Sequence, residues 1–200
     1  MDTDLPGASD NDPRPAVIRE RLGGRSIVLV GLMGAGKSTV GRRLAARLAM
    51  PFADVDTEIE TAAGKSVSEI FAQHGEAYFR DGERRVMARL LREGGRVLAT
   101  GGGAFMNAET RAGIAEYGIS IWLKADLDVL MKRVRKRSHR PLLQNADPAG
   151  TLKRLMDERY PVYATADITV LSHDTPHEQV LDDVLQHLAD YLSAKVRIAS

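Results

Sequence analysis

The sequence predicts an α/β fold built on a parallel sheet, and three observations carry that prediction. After about residue 24, short β-branched runs alternate with helical patterns. The segments between these runs are long enough for helical crossovers, which parallel pairing requires. Gly31-Leu32-Met33-Gly34-Ala35-Gly36-Lys37-Ser38 follows an apolar run and opens a helical pattern. That is the strand-to-helix setting a phosphate-binding loop needs.

Five runs read as strands: 27–30, 52–55, 96–99, 120–123 and 167–171. Together they predict a five-stranded parallel sheet with helices on both faces, a three-layer arrangement. Residues 1–24 differ in character. Asp2, Asp4, Asp10 and Asp12 mix with Pro6, Gly7, Pro13 and Pro15, a composition that cannot offset its ordering entropy by burial. A flexible extension is expected there, with 17–22 able to form one helical turn. One domain is expected over 25–192, and a short tail over 193–200. Two segments break the alternation. About forty residues separate the second and third strands, more than one crossover needs. A small substrate-binding subdomain is expected there, over about 56–93. From Lys132 the chain is basic, then polar and turn-rich through Pro141, Asn145, Pro148 and Gly150. A mobile lid is expected over about 136–150.

Composition narrows the function classes. Lys and Arg number 28 against 27 Asp and Glu, so no global field favours nucleic acid or an anionic membrane. No apolar run reaches membrane-spanning length, and no basic-then-apolar leader pattern opens the chain. With no cysteine, disulfides, thiolate metal sites and cysteine nucleophiles are excluded. A cytoplasmic setting is expected. The five histidines show no ligand spacing and read as surface or structural.

The glycine-rich loop lets successive N–H groups curl around a polyphosphate, and the helix beginning there adds partial positive charge. Lys37 can reach the β- and γ-phosphates, and Ser38 is a Mg²⁺ ligand candidate. Asp54-Val55-Asp56 ends the second strand, and alternation there puts both carboxylates on one side. One can hold Mg²⁺ through water, and the other can accept a substrate hydroxyl or its proton. Alternatively, Asp56 caps a helix starting at Thr57. Arg80 and Glu83 share a helix face, ordinarily a solvated pair of little worth. It matters if Glu83 turns Arg80 toward an anion. Phe71 and Phe79 read as core. Gly101-Gly102-Gly103 ends the third strand, either as a flexible loop or as backbone that approaches a ligand closely. Lys132, Arg133, Arg135, Lys136, Arg137 and Arg140 form a basic run. It reads as a solvated face, a nucleic-acid patch, or a lid that meets phosphoryl charge.

These segments together resemble the shikimate kinase family over about residues 27–188. The resemblance rests on Gly31 to Ser38 with Thr39, on Asp54-Val55-Asp56, on Phe79-Arg80 through Glu83, and on Gly101-Gly102-Gly103. Arg140-Pro141-Leu142-Leu143 and Arg159-Tyr160-Pro161-Val162-Tyr163 complete it. It implies a P-loop kinase that transfers the γ-phosphoryl of ATP to the 3-hydroxyl of shikimate. Gly34, Ala35, Gly36, Lys37, Ser38 and Thr39 would bind ATP, with Arg133 over the adenine and Arg140 on the phosphates. Asp56, Arg80 and Arg159 would bind shikimate, the two arginines on its carboxylate, and Gly101, Gly102 and Gly103 would meet its hydroxyls. Asp56, Lys37 and Arg140 would be catalytic. One Mg²⁺ would rest on Ser38 and, through water, on Asp54. The adenine loop near Thr175-Pro176 matches by position alone. A monomer with no nucleic-acid or membrane partner is implied. Two alternatives stay open: a non-catalytic nucleotide-binding regulator, and a kinase for another small hydroxylated substrate.

Overall fold

The computed structural model describes residues 12–135 and 147–198. Five strands, β1 (Ser26–Val30), β2 (Phe52–Asp54), β3 (Val97–Ala99), β4 (Gly118–Lys124) and β5 (Ile168–Leu171), form one sheet. Its order is β2-β3-β1-β4-β5, and every neighbouring pair is parallel. β1 lies at the centre, with Ile27 opposite Val97 on one side and Ile119 on the other. Every residue of β1 is buried. That explains the continuous apolar run from Ile27 to Val30, since a strand covered on both faces cannot alternate.

Among the described residues eight α-helices accompany the sheet: α1 (Arg14–Leu22), α2 (Lys37–Arg47), α3 (Val55–Ala63), α4 (Val67–Glu93), α5 (Ala108–Tyr117), α6 (Leu127–Arg135), α7 (Pro148–Tyr163) and α8 (His177–Ile198). The crossovers β1–α2–β2 and β3–α5–β4 run in opposite directions along the sheet. Right-handed connection therefore puts α2 and α5 on opposite faces. α8 packs with α2, and α4 with α5, completing the two outer layers. The loops after β1, β2 and β3 all leave the carboxyl edge of the sheet, where open α/β sheets bind ligands. No helix among the described residues is long and apolar enough to cross a membrane.

The segment expected to form an insertion is the pair α3 and α4, packed on each other. α4 starts with a capping box between Ser66 and Glu69, which satisfies orphan N–H groups reciprocally. It breaks at Gly75, whose φ of 78° only glycine adopts readily. Phe79 beyond the break is buried, as expected, but Phe71 before it is 37 % exposed.

Two boundaries differ from the sequence expectation. Residues 14–22 are a docked helix, not part of a flexible extension. Ile18 and Leu22 are 0 % and 2 % exposed, and α1 lies along α8. Arg14 donates to Asp182 at 2.5 Å, and Arg21 donates to Ser193. The two apolar residues stand one helical turn apart, a stripe that the surrounding Pro and Asp concealed. At the other end α8 continues to Ile198, so the expected tail is mostly helix. Ile18→Ala is expected to cost about 2–5 kcal/mol. The thermal midpoint would fall by roughly 5–15 °C, measured by scanning calorimetry. An unchanged midpoint would return this segment to the status of a loose extension.

Candidate active site

The loop between β1 and α2 is the floor of the site. Gly36 caps α2 with φ 98°, a left-handed conformation that lets the chain turn into the helix. Gly31, with φ 139°, has no room for a side chain, because a Cβ would stand 2.8 Å from the Leu123 carbonyl oxygen of β4. Lys37 is the first residue of α2, and its Nζ donates to the carbonyls of Gly31 at 2.8 Å and Leu32 at 2.9 Å. The ammonium thus lies folded over the loop mouth. A cleft of about 300 Å³ opens here. Gly34, Gly36, Lys37, Ser38, Thr39 and Arg133 line it, together with Asp174, Thr175 and His177.

Arg133 reaches this cleft from α6. It donates to Ser172 Oγ at 2.8 Å and to the His173 carbonyl at 2.5 Å. Half-burial lowers its pKa, against a weaker pull from Asp174. Lys132 pairs with Asp174. Arg133 is therefore anchored beside the P-loop, while Lys132 and Arg135 of the same run are exposed. Lys136, Arg137 and Arg140, with the lid residues up to 146, lie outside the described residues.

The second wall comes from β2 and α3, and here the sequence argument needs correction. β2 stops at Asp54, and Val55 already belongs to α3, so strand alternation does not orient Asp56. Asp54 is the helix cap, accepting from the Asp56 N–H at 3.2 Å. It caps because an extended residue with a short acceptor satisfies a first-turn donor. The alternative in which Asp56 caps does not hold. Asp54 also accepts a 2.7 Å hydrogen bond from Ser38 Oγ. The two carboxylates are thus divided: Asp54 faces the P-loop, and Asp56 faces the glycines after β3.

Those glycines tie the site together. Thr100 Oγ1 donates to the Leu29 carbonyl at 3.0 Å, holding the end of β3 against β1. A Cβ on Gly101 would stand 2.8 Å from Asp56 Oδ1 and 2.9 Å from Glu83 Oε1. On Gly102 it would stand 3.2 Å from Arg159 Nη1, and on Gly103 it would stand 2.6 Å from Arg80 Cζ. A side chain at Gly101 or Gly103 would push these groups off the backbone, and one at Gly102 would crowd Arg159. Asp56, Arg80 and Arg159, far apart in sequence, meet at this stretch.

Glu83 is the residue whose role the sequence undersold. It is 3 % exposed, and Arg80 Nη1 donates to its Oε2 at 2.8 Å. This is no solvated surface pair. Glu83 Oε1 has no hydrogen-bond partner among the described residues. Burial pushes the Glu83 carboxyl above the usual carboxylate range. Asp56 adds to that, against the pull of Arg80 and Arg159. Burial draws the Arg80 guanidinium down, but Glu83 and Glu76 outweigh it, and the net shift is upward. The Arg80 fork is thereby fixed by two carboxylates from its own helix. His177, expected to be surface or structural, also lines the cleft beside the P-loop. Its position at the start of α8, just after Thr175-Pro176, was the available signal.

The residues expected to hold a metal suit Mg²⁺. A hydroxyl and a carboxylate meet at one point, Ser38 and Asp54, and Mg²⁺ favours one or two such oxygens with substrate phosphates and water. Among the described residues, no group of three or more His, Cys, Asp or Glu could hold an ion by itself.

Comparisons with known proteins identify the family. A shikimate kinase family model matches residues 33–189. A shikimate kinase of Bradyrhizobium diazoefficiens is 62 % identical over 88 % of this chain and 86 % of its own length. One of Rhodopseudomonas palustris is 58 % identical over 94 % and 92 %. Among solved structures, the shikimate kinase from Acinetobacter baumannii in complex with shikimate superposes with a TM-score of 0.79. It is 36 % identical, covering 84 % of this chain and 95 % of that one. A gluconokinase from Sinorhizobium meliloti, at 18 % identity and a TM-score of 0.59, shares the fold alone. With a matching family model over most of its length and relatives near 60 % identity, this chain belongs to the shikimate kinase family.

Proposed function

We propose that this chain phosphorylates the 3-hydroxyl of shikimate with ATP, giving shikimate 3-phosphate and ADP. The observation that carries the proposal is the convergence of Asp56, Arg80 and Arg159 on Gly101–Gly103, beside the P-loop cleft. A carboxylate, two guanidiniums and close-approach backbone suit a small polyhydroxylated acid. A regulator that only senses nucleotide needs no such clamp.

In this reading Arg80 and Arg159 grip the shikimate carboxylate as planar forks. Asp56 accepts or orients the attacking hydroxyl. Gly34, Ala35, Gly36, Lys37, Ser38 and Thr39 cradle the ATP phosphates, and Arg133 lies toward the base. Ser38 would hold Mg²⁺ directly and Asp54 through water. When bound, the ion supplies charge neutralisation on the phosphate oxygens. Arg140 is assigned to the transferring phosphoryl by its motif. Phosphoryl transfer asks mainly for positioning and electrostatic stabilisation, which these residues provide. The protein acts in this reading as a cytoplasmic monomer that forms part of the route to the aromatic amino acids.

A coupled ADP-release assay with shikimate, gluconate and nucleoside monophosphates tests the substrate. Turnover with gluconate or a nucleoside monophosphate, and none with shikimate, would overturn the proposal. The clamp has its own test. Arg80→Lys and Arg159→Lys are each expected to raise the KM for shikimate about tenfold or more, with a smaller change in kcat. Steady-state kinetics with shikimate varied at saturating ATP measures this. A normal KM in both variants would remove the carboxylate clamp.

A further inference from the structure

The Arg159–Tyr163 segment carries one residue that the proposed chemistry leaves without a task. Tyr163 is the last residue of α7 and is fully buried. Its ring packs among Phe105, Trp122 and Tyr160, with centroids 6.4, 6.0 and 6.2 Å away. Its hydroxyl donates to the carbonyl oxygen of Gly102. A buried phenol needs such a partner, but this partner is the middle residue of the glycine run.

Peptide geometry gives the bond a consequence. In a planar trans peptide the carbonyl and the following N–H point in opposite directions. With the Gly102 oxygen held by the buried phenol, the Gly103 N–H points away from that phenol. This peptide also lies between the two guanidiniums assigned to the substrate. Arg159 Nη1 is against Gly102, and the Arg80 guanidinium is against Gly103. Arg159 and Tyr163 are one turn apart on α7, so one helix end supplies both a guanidinium and the anchor of the glycine backbone. The Ala104 N–H closes a turn on the Gly101 carbonyl at 3.3 Å. Type I and type II turns differ in the orientation of their central peptide, here Gly102–Gly103. Glycine permits both, so the phenol selects one.

We propose that Tyr163 is a positioning residue for shikimate, its hydroxyl locking the Gly102–Gly103 peptide so that the Gly103 N–H is presented to the substrate. The inference rests on the function proposed above. Burial pushes the Tyr163 phenol up to about 12, against weaker pulls from Arg159 and Arg80, so the hydroxyl remains a donor throughout the working pH range. The bond would act on substrate binding before and during reaction. Its loss should therefore appear in KM and much less in kcat.

Tyr163→Phe tests the inference, because it removes the hydroxyl and keeps the ring packing. Tyr160→Phe is the control. It removes a phenol of the same cluster that donates to Ala125, outside the glycine run. Shikimate and ADP are titrated separately by calorimetry into the full chain and both variants, with melting midpoints and steady-state kinetics alongside. The expected result for Tyr163→Phe is a shikimate Kd and KM raised about five- to tenfold. ADP affinity and kcat should change by less than about twofold, the mark of lost uniform substrate binding. Three results would overturn the role. One is unchanged shikimate affinity with a lowered midpoint, which leaves Tyr163 a purely structural residue. The second is an equal loss of ADP and shikimate binding. The third is a matching shikimate defect in Tyr160→Phe, which would assign the effect to the whole aromatic cluster. Failure of the unsubstituted chain to bind shikimate is a separate outcome. It would overturn the proposed function, and this role with it.

Discussion

Lys37→Met is expected to leave a folded protein whose turnover is lower by about 10³-fold or more. Lys37 opens α2 at the mouth of the loop, and its Nζ lies 2.8 and 2.9 Å from the loop's own Gly31 and Leu32 carbonyls. Those contacts keep the ammonium at the loop rather than out in solvent, so little chain movement separates it from a phosphate. Methionine matches its length and helix propensity but has no charge. α2 should therefore form as before, its buried face of Val40, Gly41, Leu44 and Ala45 untouched. The check is a circular dichroism spectrum and melting midpoint beside a steady-state rate. Turnover near that of the unsubstituted chain, with a native spectrum, would remove the P-loop from the mechanism.

The architecture was legible in the sequence because two periodicities differ. β1 reads as an unbroken apolar run, and α2 carries Val40 and Leu44 at helical spacing, so their types were unambiguous. Parallel pairing followed from the intervening helices. Less legible was anything decided by long-range packing. α1 is nine residues long, with two buried side chains, and its sequence surroundings resemble a linker. Only the presence of α8 beside it makes the helix worth its ordering entropy.

A similar division holds at the site. Motifs located Lys37, Asp56, Arg80, the three glycines and Arg159, because each has a chemically specific residue type at a recognisable place. The depth at which they sit was not visible. An Arg and a Glu three apart on a helix read alike whether they face water or core. Glu83 faces core because α4 continues along that side with Val86, Met87, Leu90 and Leu91. Likewise, two aspartates two residues apart suggested strand alternation. The backbone instead turned helical at Val55, and the capping role fell to Asp54. Tyr163 belongs to a recognisable motif, yet its hydrogen bond to Gly102 spans 61 residues of chain, beyond any local pattern.

Asp56→Asn is expected to lower kcat by about 10²–10⁴ while leaving the fold as stable as before, or more so. The two halves of this expectation have different origins. Chemically, in the role proposed for Asp56, the amide keeps the shape of the side chain but could neither accept the substrate proton nor supply the charge that orients the hydroxyl. Structurally, the carboxylate lies beside a second one. Its Oδ1 and Glu83 Oε1 both crowd Gly101, and the Asp56 charge helps hold the buried Glu83 carboxyl above its usual range. Removing that charge relieves Glu83, which moves back toward ordinary acidity, and its pairing with Arg80 is strengthened. The helix start is not at risk, because Asp54 supplies the cap, and what it accepts from residue 56 is the backbone N–H, which asparagine keeps. A residue kept for packing or capping would show the reverse: a fall in melting midpoint with turnover little changed. Melting midpoint, ADP affinity and kcat, measured on one preparation, separate the two cases. A large loss of rate with an unchanged or higher midpoint and near-normal ADP binding would show that like charges are held together at Gly101 at a cost in stability, for the sake of the hydroxyl that Asp56 must meet.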